Sequence, residues 1–148
     1  MLHYEFTATI DRPPADVFAF LADFASLPDW QPEFRDVALA SDGPVGAGSV
    51  FTYTRKLPVG MQRGTMEVLA YEPGVRLAWK AEPGPVLPRG EMRFRAVTGG
   101  TEVHEVFEAE VRGPLRLLTP LLQRQFKKDV RGDLLKAKRL LEAAPVPA

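Results

Sequence analysis

The chain has 148 residues, no cysteine, 19 basic and 19 acidic side chains, and 45% hydrophobic content. That suits one globular domain and excludes disulfides, thiolate metal sites and cysteine nucleophiles. A formal net charge of zero gives no general attraction to nucleic acid, no stretch reaches the ~18 apolar residues of a membrane span, and Met1-Leu2-His3-Tyr4-Glu5 does not open like a signal peptide, so a cytoplasmic protein is expected.

Residues 3–10 alternate and are rich in Tyr, Phe, Thr and Ile, which predicts a strand. Asp11-Arg12-Pro13-Pro14 ends it, and proline suits the first turn of a helix because its missing N–H is no loss there. Val17, Leu21 and Phe24 then mark one face of a short helix, widened by Phe18 and Phe20. Pro28 and Pro32 bracket Trp30 and limit residues 25–32 to a turn or two.

Strands are predicted near 34–41, 49–57, 62–72, 75–82, 89–97 and 101–112. The breaks are Asp42-Gly43-Pro44, Leu57-Pro58-Val59-Gly60, Glu72-Pro73-Gly74, Glu82-Pro83-Gly84-Pro85 and Gly99-Gly100. Glycine admits positive φ and proline fixes φ, so each is a turn, and short connections make neighbouring strands antiparallel. Alternation sorts the faces. Val75, Leu77, Trp79 and Ala81 oppose Arg76, Ala78 and Lys80, and Met92, Phe94 and Ala96 oppose Glu91, Arg93 and Arg95. Phe51 and Tyr53 share a face with Arg55. One face is apolar and the other charged, so something must cover the first.

The carboxy-terminal segment supplies the cover. Leu118, Leu122, Phe126, Val130 and Leu134 recur every four residues, and Ala137 and Leu141 continue the stripe. Gly113-Pro114 offers one helix start and Thr119-Pro120 a second, which predicts a kink or a restart. Pro145 and Pro147 stop the helix, so 145–148 are expected to fray.

In this order of elements the chain resembles the START-like (SRPBCC) helix-grip superfamily, in its polyketide cyclase/dehydrase and lipid transport branch. The resemblance rests on the opening strand followed by Pro13-Pro14-Ala15-Asp16-Val17-Phe18-Ala19-Phe20-Leu21, on Leu27-Pro28-Asp29-Trp30, on Glu72-Pro73-Gly74-Val75-Arg76-Leu77-Ala78-Trp79, and on Gly113-Pro114-Leu115 leading into a basic helix. It implies an α+β domain over residues 1–144, with a seven-stranded antiparallel sheet wrapped around the long last helix and two short helices after the first strand. It also implies an apolar cavity for a lipid, polyketide or quinone-like molecule.

The expected wall is Phe20, Phe24, Trp30, Phe51, Tyr53, Met66, Trp79, Met92, Phe94, Phe107, Leu118, Leu122 and Phe126. The same residues are what a packed core would use. Glu105 stands among Val103, Phe107, Ala109 and Val111, while Glu102, His104, Glu108 and Glu110 face the other way. A carboxylate on an apolar face needs a partner, and Arg55 has the right parity. Glu105 then reads as a polar anchor, as a catalytic acid/base with a raised pKa, or as half of a structural ion pair.

Other motifs carry less. His104-Glu105-Val106-Phe107-Glu108 echoes a zinc motif, but that motif needs a helix; on a strand residues 104 and 108 lie ~13 Å apart. Ser26, Ser41 and Ser49 sit in no nucleophile elbow, and antiparallel pairing of the first and last strands separates His3 from His104. Gly43-Pro44-Val45-Gly46-Ala47-Gly48 precedes a strand, so it reads as a hairpin and not a phosphate loop. No metal or other cofactor is implied. From Gly113 to Ala143 eight basic and three acidic residues give net +5, either a solvated helix face or a surface for RNA or anionic membrane.

Three readings follow. The first is a carrier of a hydrophobic small molecule, with Glu105 and Arg55 orienting its polar end. The second is a cyclase/dehydratase-type enzyme using Glu105 for proton transfer. The third is an interaction module built on the basic helix. The exposed edge at 34–41 leaves pairing into a homodimer open.

Overall fold

A computed structural model describes residues 1–57, 60–82 and 84–144. The turn positions Pro58, Val59 and Pro83 and the tail 145–148, expected to fray, lie outside the described residues. Strand β1 (Leu2–Ile10) leads into helix α1 (Pro14–Leu21) and a 3-10 segment, Phe24–Asp29. Six strands follow: β2 (Phe34–Leu39), β3 (Val50–Leu57), β4 (Gly60–Glu72), β5 (Arg76–Glu82), β6 (Val86–Val97) and β7 (Gly100–Val111). A second 3-10 segment, Gly113–Leu118, precedes α2 (Thr119–Ala143). The expected restart therefore falls at Thr119-Pro120, and Pro120 sits in the first turn, where no N–H is needed.

The strands form one antiparallel sheet in the order β1-β7-β6-β5-β4-β3-β2. Alternation holds along most of it, with Leu77, Trp79, Met92, Val103 and Glu105 buried on the inner face. Parity slips once in β4, between Val68 and Ala70. Leu69 bulges outward there, and Tyr71 returns to the core against Phe18, 5.1 Å between ring centroids. Val75 falls in the turn and is exposed, and Ala96 is also exposed, so the apolar face is shorter than alternation alone predicts. On the outer face Arg89–Glu108 and Arg95–Glu102 pair across strands at 3.1 and 3.0 Å. Such exposed pairs contribute little individually.

Both sheet edges are managed. β2 carries a register break between Arg35 and Ala38, with Asp36 in left-handed backbone at φ 53, which blunts the edge suggested for self-pairing. The β1 edge is clasped by α2. The Gln123 side chain donates to the His3 carbonyl at 2.8 Å and accepts from the His3 amide at 3.1 Å. Lys138 Nζ donates to the Thr9 carbonyl at 2.6 Å, and the Asp11 amide donates to Glu142 at 2.9 Å.

Gly90 shapes the floor under the helix. It pairs with Trp79 on one side and Phe107 on the other, and the two rings meet edge to face across it at 5.8 Å. A Cβ on Gly90 would fall 2.5 Å from the indole of Trp79, and only an absent side chain leaves the ring its place. Gly132 in α2 has open space around its Cβ position and ordinary backbone. The two glycines should therefore respond oppositely to alanine in urea unfolding. Gly90→Ala should lose about 1–3 kcal/mol through overpacking. Gly132→Ala should gain about 0.5–1 kcal/mol from helix propensity.

Candidate functional site

An apolar slot lies between the inner face of the sheet, the 3-10 segment after α1, and the middle of α2. The space that the centre of a water molecule can occupy there is about 60 Å³, room for on the order of four waters. Of the residues expected on the wall, Phe24, Trp30, Met66, Trp79, Met92, Phe107 and Phe126 line it, as do Glu105 and Arg55. Trp79, Phe107 and Phe126 make a continuous aromatic run from sheet to helix, the last two rings 5.0 Å apart.

Six expected residues lie elsewhere. Phe51, Tyr53 and Phe94 are buried behind the wall, packed on Phe24, Phe34 and Phe18 at 4.9, 5.1 and 5.3 Å. Phe20 is half-buried at the edge of the core. Leu122 joins a separate small cluster with Leu2, Ala109 and Val111. Leu118 is 47% exposed because it ends the 3-10 segment and precedes the helix whose stripe it was assigned to.

Glu105 is the central polar group. It is 3% exposed, and its Oε1 has no hydrogen-bond partner among the described residues. Burial in apolar surroundings raises its pKa to about 8, so at neutral pH it is a neutral acid with a proton to donate. Arg55 is not its ion-pair partner. The guanidinium lies over the ring of Phe34, 5.3 Å from its centroid, and its Nε is buried without a partner. The indole Nε1 of Trp30, 2% exposed, is likewise unpartnered. Three residues that line the slot thus each carry a buried polar atom without a partner among the described residues, against the general rule that buried polar groups are hydrogen-bonded.

Sequence reasoning missed Leu21, Leu27, Phe34, Leu77 and Val130 on the wall, and three further carboxyl groups: Glu33, Asp129 and Asp133. The Asp133 carboxyl is held well above its ordinary range, first by burial, then by the charge of Glu33 and a hydrogen bond with it, and by Asp129 and Glu105. The signal available was a like-charged i, i+4 pair, Asp129 and Asp133, beside the apolar stripe, a spacing that weakens a helix. Among the described residues no three such groups converge to hold a metal ion.

The family described as polyketide cyclase/dehydrase and lipid transport matches residues 1–142. The chain belongs to this family. Its fold recurs in solved structures. The TTHA0849 protein of Thermus thermophilus is 19% identical, with a TM-score of 0.80 over 97% of this chain and 99% of that one. The DR_A0006 protein of Deinococcus radiodurans is 25% identical, with a TM-score of 0.70 over 96% and 98%. The di-domain aromatase/cyclase StfQ of the steffimycin biosynthetic pathway is 15% identical, with a TM-score of 0.76 over 95% of this chain and 50% of that one. No curated protein matches. Membership of this family supports a hydrophobic ligand-binding fold. Among the described residues no helix is long and apolar enough to cross a membrane.

The buried acids make stability depend on pH with a definite sign. The folded pKa of Glu105, about 8, lies above the ordinary 4.5. Below 4.5 both states are protonated and the fold bears no charge penalty. As pH rises toward 8 the unfolded chain releases the proton and the folded one keeps it, so stability falls. Unfolding at pH 5 and pH 8 should differ by on the order of 3 kcal/mol from this group, with Asp133 adding in the same direction. Glu105→Gln should flatten the slope, and a slope unchanged in that variant would remove the assignment.

Proposed function

We propose that this family member binds a hydrophobic small molecule carrying oxygen acceptors, such as a ketone, quinone or phenol, in the slot beneath α2. The observation that carries the reading is the set of partnerless buried polar atoms on residues that line the slot. Trp30 Nε1–H and Arg55 Nε–H point the chemistry toward an acceptor, and protonated Glu105 offers a third donor. A ligand carbonyl would satisfy groups that cost roughly 1–3 kcal/mol each when left bare. The aromatic run Trp79–Phe107–Phe126 suits a flat or polyene body. A saturated alkane would leave the donors unpaired, so the site discriminates by chemistry as well as by fit.

The test starts with native mass spectrometry and organic extraction of the purified protein, followed by titration of quinones and polyketide mimics. Trp30→Phe and Arg55→Met should each weaken binding about five- to tenfold. Equal affinity for a matched hydrocarbon, or unchanged affinity in both variants, would sink the acceptor reading.

A second reading, favoured by the neutral acid at the slot, is that the bound molecule also reacts. Glu105 would donate its proton to a ligand oxygen, as in an aldol-type cyclisation or a dehydration. Glu105→Gln keeps shape and hydrogen bonding but has no proton to give. Binding preserved with turnover abolished would support catalysis, and turnover retained in that variant would end it.

A further inference from the structure

We propose that the outer ridge of the Gly113–Leu118 segment and the first half of α2 docks on an anionic lipid surface. Leu117, Leu118 and Leu121 are 86%, 47% and 65% exposed. Three bare leucines within five residues form a patch, not the usual scatter of single apolar side chains. Leu121, Arg124 and Lys128 follow one another at spacings of three and four, so they line one side of α2, and Leu117 is exposed in the 3-10 segment just before it. The opposite side, Leu122, Phe126 and Val130, faces the sheet. Docking therefore uses a face that folding leaves free.

Among the described residues, the charges around the patch form no ion pair. On the sheet, Arg76, Lys80, Arg89, Arg93 and Arg95 pair with glutamates, as does Arg112 just after β7. Among the described residues, Arg116, Arg124, Lys127 and Lys128 have no such partner, and all four are exposed. No acidic residue sits in the first turn of α2, and Arg116 lies just before the positive end of the helix dipole, where a cation is unfavourable. That placement works against the fold and suits an external anion.

The leucines choose among anionic partners. An RNA surface combines cations with aromatic side chains for base stacking, and this ridge carries no exposed aromatic residue. A second copy in a twofold contact would set the same cations against each other. A bilayer with anionic headgroups takes both components, the leucines below the headgroups and the cations among them. The docking face does not depend on what the slot holds.

The experiment is cosedimentation of the full chain with vesicles of phosphatidylcholine containing about 30% phosphatidylglycerol, and with phosphatidylcholine alone. Binding is expected only to the anionic vesicles, falling about tenfold or more as salt rises from about 0.1 to about 0.5 M. Leu117→Ser with Leu121→Ser should weaken it about tenfold or more without lowering the thermal midpoint. Arg124→Gln with Lys128→Gln should weaken it and flatten the salt dependence. Leu117→Trp should give a blue-shifted emission on anionic vesicles, a readout independent of the serine variants. No cosedimentation at low salt overturns the proposal. So does equal vesicle binding by the leucine variant alongside retained RNA binding, which would mark a general polyanion surface. Reversible dimerisation abolished by the leucine variant would reassign the patch to self-association.

Discussion

One helix cannot roof seven strands. Six inter-strand spacings of about 4.8 Å set the edge strands roughly 29 Å apart, whereas a helix with its side chains is about 10–12 Å across. Much of this architecture follows from that shortfall. α2 settles toward the β1 edge, burying Leu134, Ala137 and Leu141 and satisfying free β1 backbone groups through Gln123 and Lys138. α1 and the first 3-10 segment fill the next stretch with Val17, Phe18, Leu21, Phe24 and Leu27. The space left between these two covers is the slot, and Trp79 and Phe107 line it because Gly90 between them carries no side chain.

The slot then governs the chemistry of whatever borders it. A carboxyl on β7 could have been placed on the outer face, as Glu102, Glu108 and Glu110 are. At position 105 it loses its water and gains no cation, and neutrality is the cheaper state. Arg55 could have relieved it but is held over Phe34 at the β2–β3 edge. On the helix side burial and neighbouring carboxylates hold the Asp133 carboxyl above its ordinary range as well. The interior thus offers hydrogen-bond donors in a dry setting, where a matched acceptor is worth more than in water.

Most of the architecture was legible because it follows from alternation and from chain-breaking residues. Strand register could be read wherever large apolar and charged residues alternate, as in Arg93-Phe94-Arg95, and turns wherever proline and glycine meet. Glu105 stood out for the same reason, as an exception to its strand's period. What failed was any inference needing a third element. The four-residue stripe was extended back through Thr119-Pro120 to Leu118, although the helix begins only at Thr119. Phe51, Tyr53 and Phe94 have inward parity, but parity does not say which inward residues meet space and which meet another ring. Asp133 reads as surface charge, since nothing local reveals that its carboxyl meets Glu33.

The division of α2 into two halves ties these features together. Its carboxy-terminal half buries Leu134, Ala137 and Leu141 and reaches β1 through Lys138, while among the described residues its first half is hydrogen-bonded to β1 by Gln123 alone. Its first half has Phe126 and Val130 only half-buried, three leucines near its start facing outward, and no side-chain cap on its first turn. A segment with little buried surface opens at lower free energy than the rest of its fold. The slot, with room for only a few waters, has to widen for a larger guest. Phe126, Asp129 and Val130 form one wall of it, on the half of α2 that holds none of its fully buried residues.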